Sequence, residues 1–114
     1  MDDISIRQFE SSDAPWLVRQ HGEHYAREEG FDDTFGALVA EILDDFVANH
    51  NPDRERGWIA MRGDKRLGSI FCVSQGKTTA KLRLFLLTPD ARGRGLGRRL
   101  LATCMGFARA HGYH

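Results

Sequence analysis

Apolar residues recur with two different periods along the chain, and the changes of period predict the order of its elements. Ile4–Phe9 alternates between apolar and polar positions, which is typical of a short strand. Ser12–Pro15 combines capping side chains with a proline, which predicts a helix that starts there and continues toward Arg27. Asp33 or Thr34 caps a second helix. Its apolar residues keep a three-four spacing that predicts one core face: Phe35, Leu38, Val39, Ile42, Leu43, Phe46 and Val47.

The second half of the chain predicts three strands and a helix. Trp58–Arg62 and Leu67–Ser74 are joined around Gly63-Asp64, a turn pair typical of a hairpin. The next strand, Thr79–Leu87, begins with alternating polarity and ends apolar on both faces, as a strand does when it is buried in mid-sheet. An amphipathic helix follows over Arg98–Ala110. The pattern therefore predicts an α/β fold in the order β-α-α-β-β-β-α.

A glycine-rich turn, Arg92-Gly93-Arg94-Gly95-Leu96-Gly97, separates the last strand from the last helix. Glycines let the backbone approach an anion closely, and the first N–H groups of the following helix point at it with the positive end of the helix dipole. The turn therefore predicts a phosphate site. A P-loop is disfavoured because Arg98 and Arg99 replace its lysine and hydroxyl residue, and a dinucleotide fold because Arg98 stands at the third glycine position.

The motif R-x-x-G-x-G, preceded by Leu87-Thr88-Pro89-Asp90, resembles the cofactor motif of the GNAT superfamily, the CoA-dependent N-acetyltransferases. The resemblance extends to Gly68-Ser69-Ile70 on a preceding strand and to Lys81–Leu87 as the central strand. The stretch from Trp16 to Phe35 is further similar to GNAT domains that are fused to MarR-type DNA-binding domains. The resemblance implies a mixed, mostly antiparallel sheet flanked by helices.

The resemblance also implies a cofactor and a reaction. Acetyl-CoA is the implied acyl donor, and an acetyl or related acyl group passes directly to a primary amine of a small molecule or peptide. A backbone N–H of the central strand polarises the thioester carbonyl, and the amides of the glycine turn bind the pyrophosphate. The positions that match this cofactor site are Phe85, Leu86, Leu87, Arg92, Gly93, Arg94, Gly95, Leu96, Gly97 and Arg98.

The groups that transfer protons are less well marked. The tyrosine that often protonates the leaving thiolate lies on a later helix of the family, and Tyr113 at the far end of the cofactor helix is no substitute. His21, His24 and Glu28 share a helical face, so His24 or Glu28 is a candidate base or amine anchor. The alternative is that they are ordinary polar surface. Because a fourth ligand is lacking, no metal is predicted.

The family continues past its cofactor helix with a further strand beside the central one, another helix and more strands, whereas this chain ends at His114. We therefore expect one GNAT-like domain over residues 1–114, truncated after that helix and lacking the C-terminal strands and helix. The apolar edge Leu84–Leu87 then needs a cover. The chain is expected to be a fragment or, if complete, a homodimer. The alternative functions are a non-catalytic CoA-binding or interaction module and a dimeric scaffold.

Composition and charge narrow these expectations. No stretch is apolar enough to span a bilayer and no secretory signal follows Met1, so a cytoplasmic protein without a membrane partner is expected. Cys72 and Cys104 are expected to be small core residues. Residues 1–53 carry a net charge of −10 and residues 54–114 one of +10. In a functional interpretation, the basic half attracts the phosphates of CoA and the acidic half attracts an amine. In the alternative interpretation, the charged residues are solvated or the two halves neutralise each other. Nucleic acid is not expected, because the whole chain is neutral.

Overall fold

The computed structural model describes residues 4–20, 34–51, 53–91 and 95–113, with side chains at all of these except 34–38 and 90. The chain divides into two compact units. One comprises residues 1–9 and 51–114 and contains the sheet, and the other comprises residues 10–50 and is helical.

The first unit is built on a four-stranded antiparallel sheet with the order β1-β2-β3-β4. Its strands are β1 (Ile4–Gln8), β2 (Arg56–Arg62), β3 (Lys65–Ser74) and β4 (Ala80–Leu87). The turn at Gly63 and Asp64 joins β2 to β3, and the turn at residues 75–78 joins β3 to β4. All four predicted strands are present, and their ends lie within two residues of the predicted ones.

One helix, α3 (Leu96–Ala110), packs on this sheet. The apolar residues of α3, β2 and β3 form the core of the unit, and burying each large side chain stabilises the fold by about 1.5–3 kcal/mol. This core comprises Trp58, Ala60, Leu67, Ile70, Cys72, Ala91, Leu96, Leu100, Cys104, Phe107 and Tyr113. The helix ends where Gly112 takes a left-handed φ of 94° and the Tyr113 N–H donates to the Ala108 carbonyl.

The second unit contains a 3₁₀ turn (Ser11–Asp13), helix α1, described over residues 14–20, and helix α2 (Thr34–Asn49). The predicted start of α1 is confirmed. The Glu10 N–H donates to Asp13 Oδ2 at 2.8 Å in a capping box. The predicted continuation toward Arg27 and the cap at Asp33 lie outside the described residues.

The predicted apolar face of α2 is confirmed at its centre, but the prediction is wrong for Val47 at its edge. Val39, Leu43 and Phe46 are buried, whereas Val47 is 45% exposed. With 3.6 residues per turn, Val47 lies about 70° from the middle of the buried face, near the end of the helix, so the core does not reach it. The acidic residues predicted to face outward, Glu41, Asp44 and Asp45, are exposed.

Strand β4 also differs from its prediction. Among the described residues it pairs only with β3 and forms an edge of the sheet, and Leu82 and Phe85 are 44% and 45% exposed. Within the described part of the chain β4 is therefore an edge strand rather than one buried in mid-sheet, and its regular pairing is interrupted at Leu84.

Candidate functional site

Strand β4 contains a β-bulge just before its carboxyl end. Its register with β3 shifts between Ser69 and Phe71, so that Leu84 and Phe85 together oppose Ile70. Leu84 has a φ of 52°, in the left-handed region. For a residue other than glycine this conformation costs about 1–2 kcal/mol, so the surrounding structure must hold it in place.

The bulge reverses which residues of β4 face α3. Leu82 pairs with Cys72 and Leu87 with Gly68, on the face that packs against the helix, whereas Leu86 pairs with Ser69 on the opposite face. Without the extra residue, Leu86 would share the face of Leu82, because side chains alternate along a strand. The bulge therefore brings Leu87 to the start of α3.

Two residues of β3 support the bulge. The Ser69 hydroxyl is fully buried and donates to the Leu84 carbonyl at 2.6 Å. A Cβ atom on Gly68 would lie 2.6 Å from the Leu86 carbonyl oxygen, so only glycine lets β4 approach this closely. Gly68-Ser69-Ile70 is part of the resemblance to the family, but the sequence alone assigns no role to Ser69. The available signal was a lone serine within an apolar strand, since a buried hydroxyl requires a partner.

The glycine turn leads directly into α3. Gly95 caps the helix in a left-handed conformation, with a φ of 75°, and Leu96 is buried beneath it. The Arg99 N–H donates to the Gly95 carbonyl at 3.2 Å, the first helical bond of α3. N–H groups of the first turn have no partner within a helix and are available to an anion. Residues 92–94, the rest of the predicted turn, lie outside the described residues.

The end of β4 and the start of α3 meet at Gly97. A Cβ atom on Gly97 would lie 3.4 Å from Leu87 Cδ1 and 3.7 Å from Phe85 Cζ. The strand segment and residues 95–97 of the glycine turn, which were predicted separately as cofactor-binding, thus lie side by side. Arg98, also predicted there, is exposed, whereas Leu86 is buried on the other face of the sheet.

The residues considered for proton transfer are His24, Glu28 and Tyr113, and only Tyr113 is among the described residues. His24 and Glu28 lie outside the described residues. The hydroxyl of Tyr113 donates to the Arg54 carbonyl at 2.7 Å, and the Arg54 guanidinium lies 4.2 Å from the centre of its ring. Tyr113 therefore anchors the end of α3. Among the described residues, no group of three or more His, Cys, Asp or Glu side chains could hold a metal ion.

A cavity of 390 Å³ lies between α3 and the edge of β4, and both cysteines border it. Cys72 and Cys104 are free and fully buried, as predicted. Burial raises the pKa of both thiols, and burial together with the neighbouring Cys72 raises the pKa of Cys104 to about 12. Since the thiolate is the nucleophilic form, these cysteines are inert core residues at neutral pH.

The family model of the acetyltransferase (GNAT) family matches residues 7–114. The chain belongs to the GNAT acetyltransferases. The predicted family and fold class are confirmed, and so is acetyl-CoA as the cofactor of the family. The predicted likeness to MarR-fused GNAT domains stays a prediction. Comparison with curated proteins gave no significant match.

Solved structures share the fold of this GNAT chain at low sequence identity. An acetyltransferase from Streptococcus agalactiae has a TM-score of 0.70 and 24% identity, with 99% of this chain and 70% of that chain covered. A predicted acetyltransferase from Clostridium acetobutylicum, solved with acetyl-CoA, has a TM-score of 0.76 and 16% identity, with 97% and 77% covered.

The yncA protein of Salmonella typhimurium, solved with its cofactor acetyl-CoA, has a TM-score of 0.79 and 17% identity to this GNAT chain. The alignment covers 99% of this chain and 67% of that chain.

Within the part of the chain that the structure describes, none of the helices is long and apolar enough to cross a membrane.

Proposed function

We propose that this chain transfers an acetyl group from acetyl-CoA to a primary amine of a small molecule or peptide. The observation that carries the proposal is the close approach of β4 and α3 at Gly97. A Cβ atom built on Gly97 would lie 3.4 Å from Leu87 Cδ1. The strand end would hold the thioester, and the glycine turn would hold the pyrophosphate beside it. Membership of the GNAT acetyltransferases supports both assignments.

The proposed chemistry uses backbone groups of the chain. An N–H group within residues 85–87 donates to the thioester carbonyl and stabilises the negative charge that develops on its oxygen. The neutral amine attacks the carbonyl carbon, the carbon–sulfur bond breaks and CoA leaves as a thiolate, which takes up a proton from solvent to give the free thiol. The nitrogen loses one proton to a base, for which His24 and Glu28 remain the proposed candidates.

The charge pattern supports a cationic substrate. Lys81 and Arg83 on β4 and Arg98 in the first turn of α3 are exposed, and they contribute to the net charge of +10 of residues 54–114, which favours the phosphates of CoA. The exposed face of α2 carries Glu41, Asp44 and Asp45, which favour a positively charged amine. We therefore expect polyamines and basic peptides to be better acceptors than neutral amines, with rates that fall as salt is raised.

Two measurements test the proposal. Calorimetric titration with acetyl-CoA should show saturable binding, and thiol release should then be followed across a panel of cationic and neutral amines. Binding together with amine-dependent thiol release supports the enzyme. Binding without release from any amine would instead favour the non-catalytic CoA-binding module, and the absence of binding would refute the cofactor site.

A further inference from the structure

Ser69 is a polar residue buried at the centre of the sheet. Its exposed fraction is 0%, and its neighbours in sequence, Gly68 and Ile70, pack against the core beneath α3. The Oγ atom lies 2.6 Å from the Leu84 carbonyl oxygen, at the short end of the range for a hydroxyl hydrogen bond. A fully buried hydroxyl with one short bond has a defined orientation.

The partner of this hydroxyl is the least relaxed residue of β4. Leu84 is the non-glycine residue with positive φ among the described residues, and it lies at the bulge, where two residues of β4 oppose one of β3. A bulge interrupts the regular ladder, so a carbonyl there requires another donor. The Ser69 hydroxyl supplies it and holds Leu84 in its left-handed conformation.

We propose that Ser69 is a positioning residue for acyl transfer, which acts by fixing the bulge at Leu84. This inference rests on the proposed function. The conformation of Leu84 sets the direction of the following N–H groups, at residues 85–87, and a donor to the thioester carbonyl must point at the oxygen on which charge develops. Ser69 does not touch the cofactor, yet its hydroxyl determines how well the strand receives the acetyl group.

The first test compares acetyl-CoA with CoA. The two ligands share every phosphate contact and differ in the acetyl group, so the ratio of their affinities reports the contacts of the acetyl group, which include the proposed donor on the strand. For Ser69→Ala we expect CoA affinity to stay within about twofold, and the preference for acetyl-CoA to fall about fivefold, the value of one hydrogen bond. Turnover with the best amine should fall about tenfold in kcat. Circular dichroism checks the fold.

A matched control and a compensating variant separate positioning from stability. Ser74→Ala removes a hydroxyl from the same strand, where it bonds the Gly76 carbonyl in an exposed turn, and should leave the ratio unchanged. Leu84→Gly removes the cost of positive φ. The loss caused by Ser69→Ala should therefore be smaller when residue 84 is glycine, as measured in a double-mutant cycle.

The outcomes distinguish this inference from the proposed function. Failure of the wild-type chain to bind acetyl-CoA refutes both. A wild-type chain that binds and reacts, together with an unchanged affinity ratio and kcat in Ser69→Ala, refutes the role of Ser69 alone. An equal loss of CoA and acetyl-CoA affinity does so as well, because it indicates a general loss of structure.

Discussion

Gly68 leaves no room for a methyl group, and this makes Gly68→Ala a quantitative test of how β3 and β4 approach each other. An ideal Cβ would lie 2.6 Å from the Leu86 carbonyl oxygen and 2.9 Å from Leu87 Cδ2. The Leu87 side chain can rotate, but the backbone oxygen cannot. Strand β4 must therefore move at the segment where we propose that the thioester binds.

The cost follows from two opposing effects. Overpacking a core costs about 1–3 kcal/mol, and contact with a backbone atom places Gly68→Ala near the upper limit. Replacing glycine also restricts the unfolded chain, which returns about 0.4–1 kcal/mol. We expect a net loss of about 2 kcal/mol in the free energy of unfolding. With a slope of about 1–1.5 kcal/mol per molar urea, the urea midpoint should fall by about 1.3–2 M.

Gly106→Ala is the matched control, because nothing lies within 4 Å of its ideal Cβ and the residue is exposed within α3. Alanine there should raise the midpoint, since it favours a helix by about 0.8–1 kcal/mol over glycine. The same chemical change thus has opposite signs at two positions. A Gly68→Ala chain as stable as the wild type would refute the close approach of the two strands.

Three further predictions follow from the site. Gly97→Ala should fold normally, because its methyl contact of 3.4 Å is ordinary, but lose about tenfold in acetyl-CoA affinity by calorimetry; unchanged affinity would refute the anion position. Because burial raises the pKa of the Cys72 and Cys104 thiols, the latter to about 12, the unfolded chain deprotonates first, so urea stability should decline above about pH 8.5; pH-independent stability would contradict this. Replacing exposed Leu82 and Phe85 by lysine should abolish self-association through the β4 edge in light scattering, and a dimer that persists would exclude that edge.

Local sequence signals predicted the elements of the fold well. The alternation of Ile4–Phe9 and the turn at Gly63-Asp64 each depend on nearby residues, and the corresponding strands and hairpin are present. Helix α3 starts at Leu96, two residues before the prediction, because Gly95 itself is the left-handed cap. A glycine cap carries no side chain that would mark the exact boundary.

The bulge could not be predicted in the same way. A change in alternation reveals a bulge only if apolar and polar residues alternate on both sides of it, and Leu84–Leu87 is apolar throughout. The hydrogen bond from Ser69 to Leu84 joins residues that are 15 positions apart, so it depends on the pairing of two strands. For the candidate site, sequence therefore identified the glycine turn and the strand, but not the contact that shapes the strand.

The helical unit is an insertion between two neighbouring strands. The last strand pair of β1 with β2 is Gln8 with Trp58, and the Phe9 N–H donates to the Gly57 carbonyl at 2.8 Å. Doubling the length of a loop closed in this way costs only about 0.6 kcal/mol of free energy. During folding, hairpins with short turns form before strand pairs that are distant in sequence. We therefore expect β2, β3 and β4 to associate first during folding and β1 to join last. A longer or shorter connection between Phe9 and Gly57 would consequently change the free energy of closing this strand pair by less than about 1 kcal/mol.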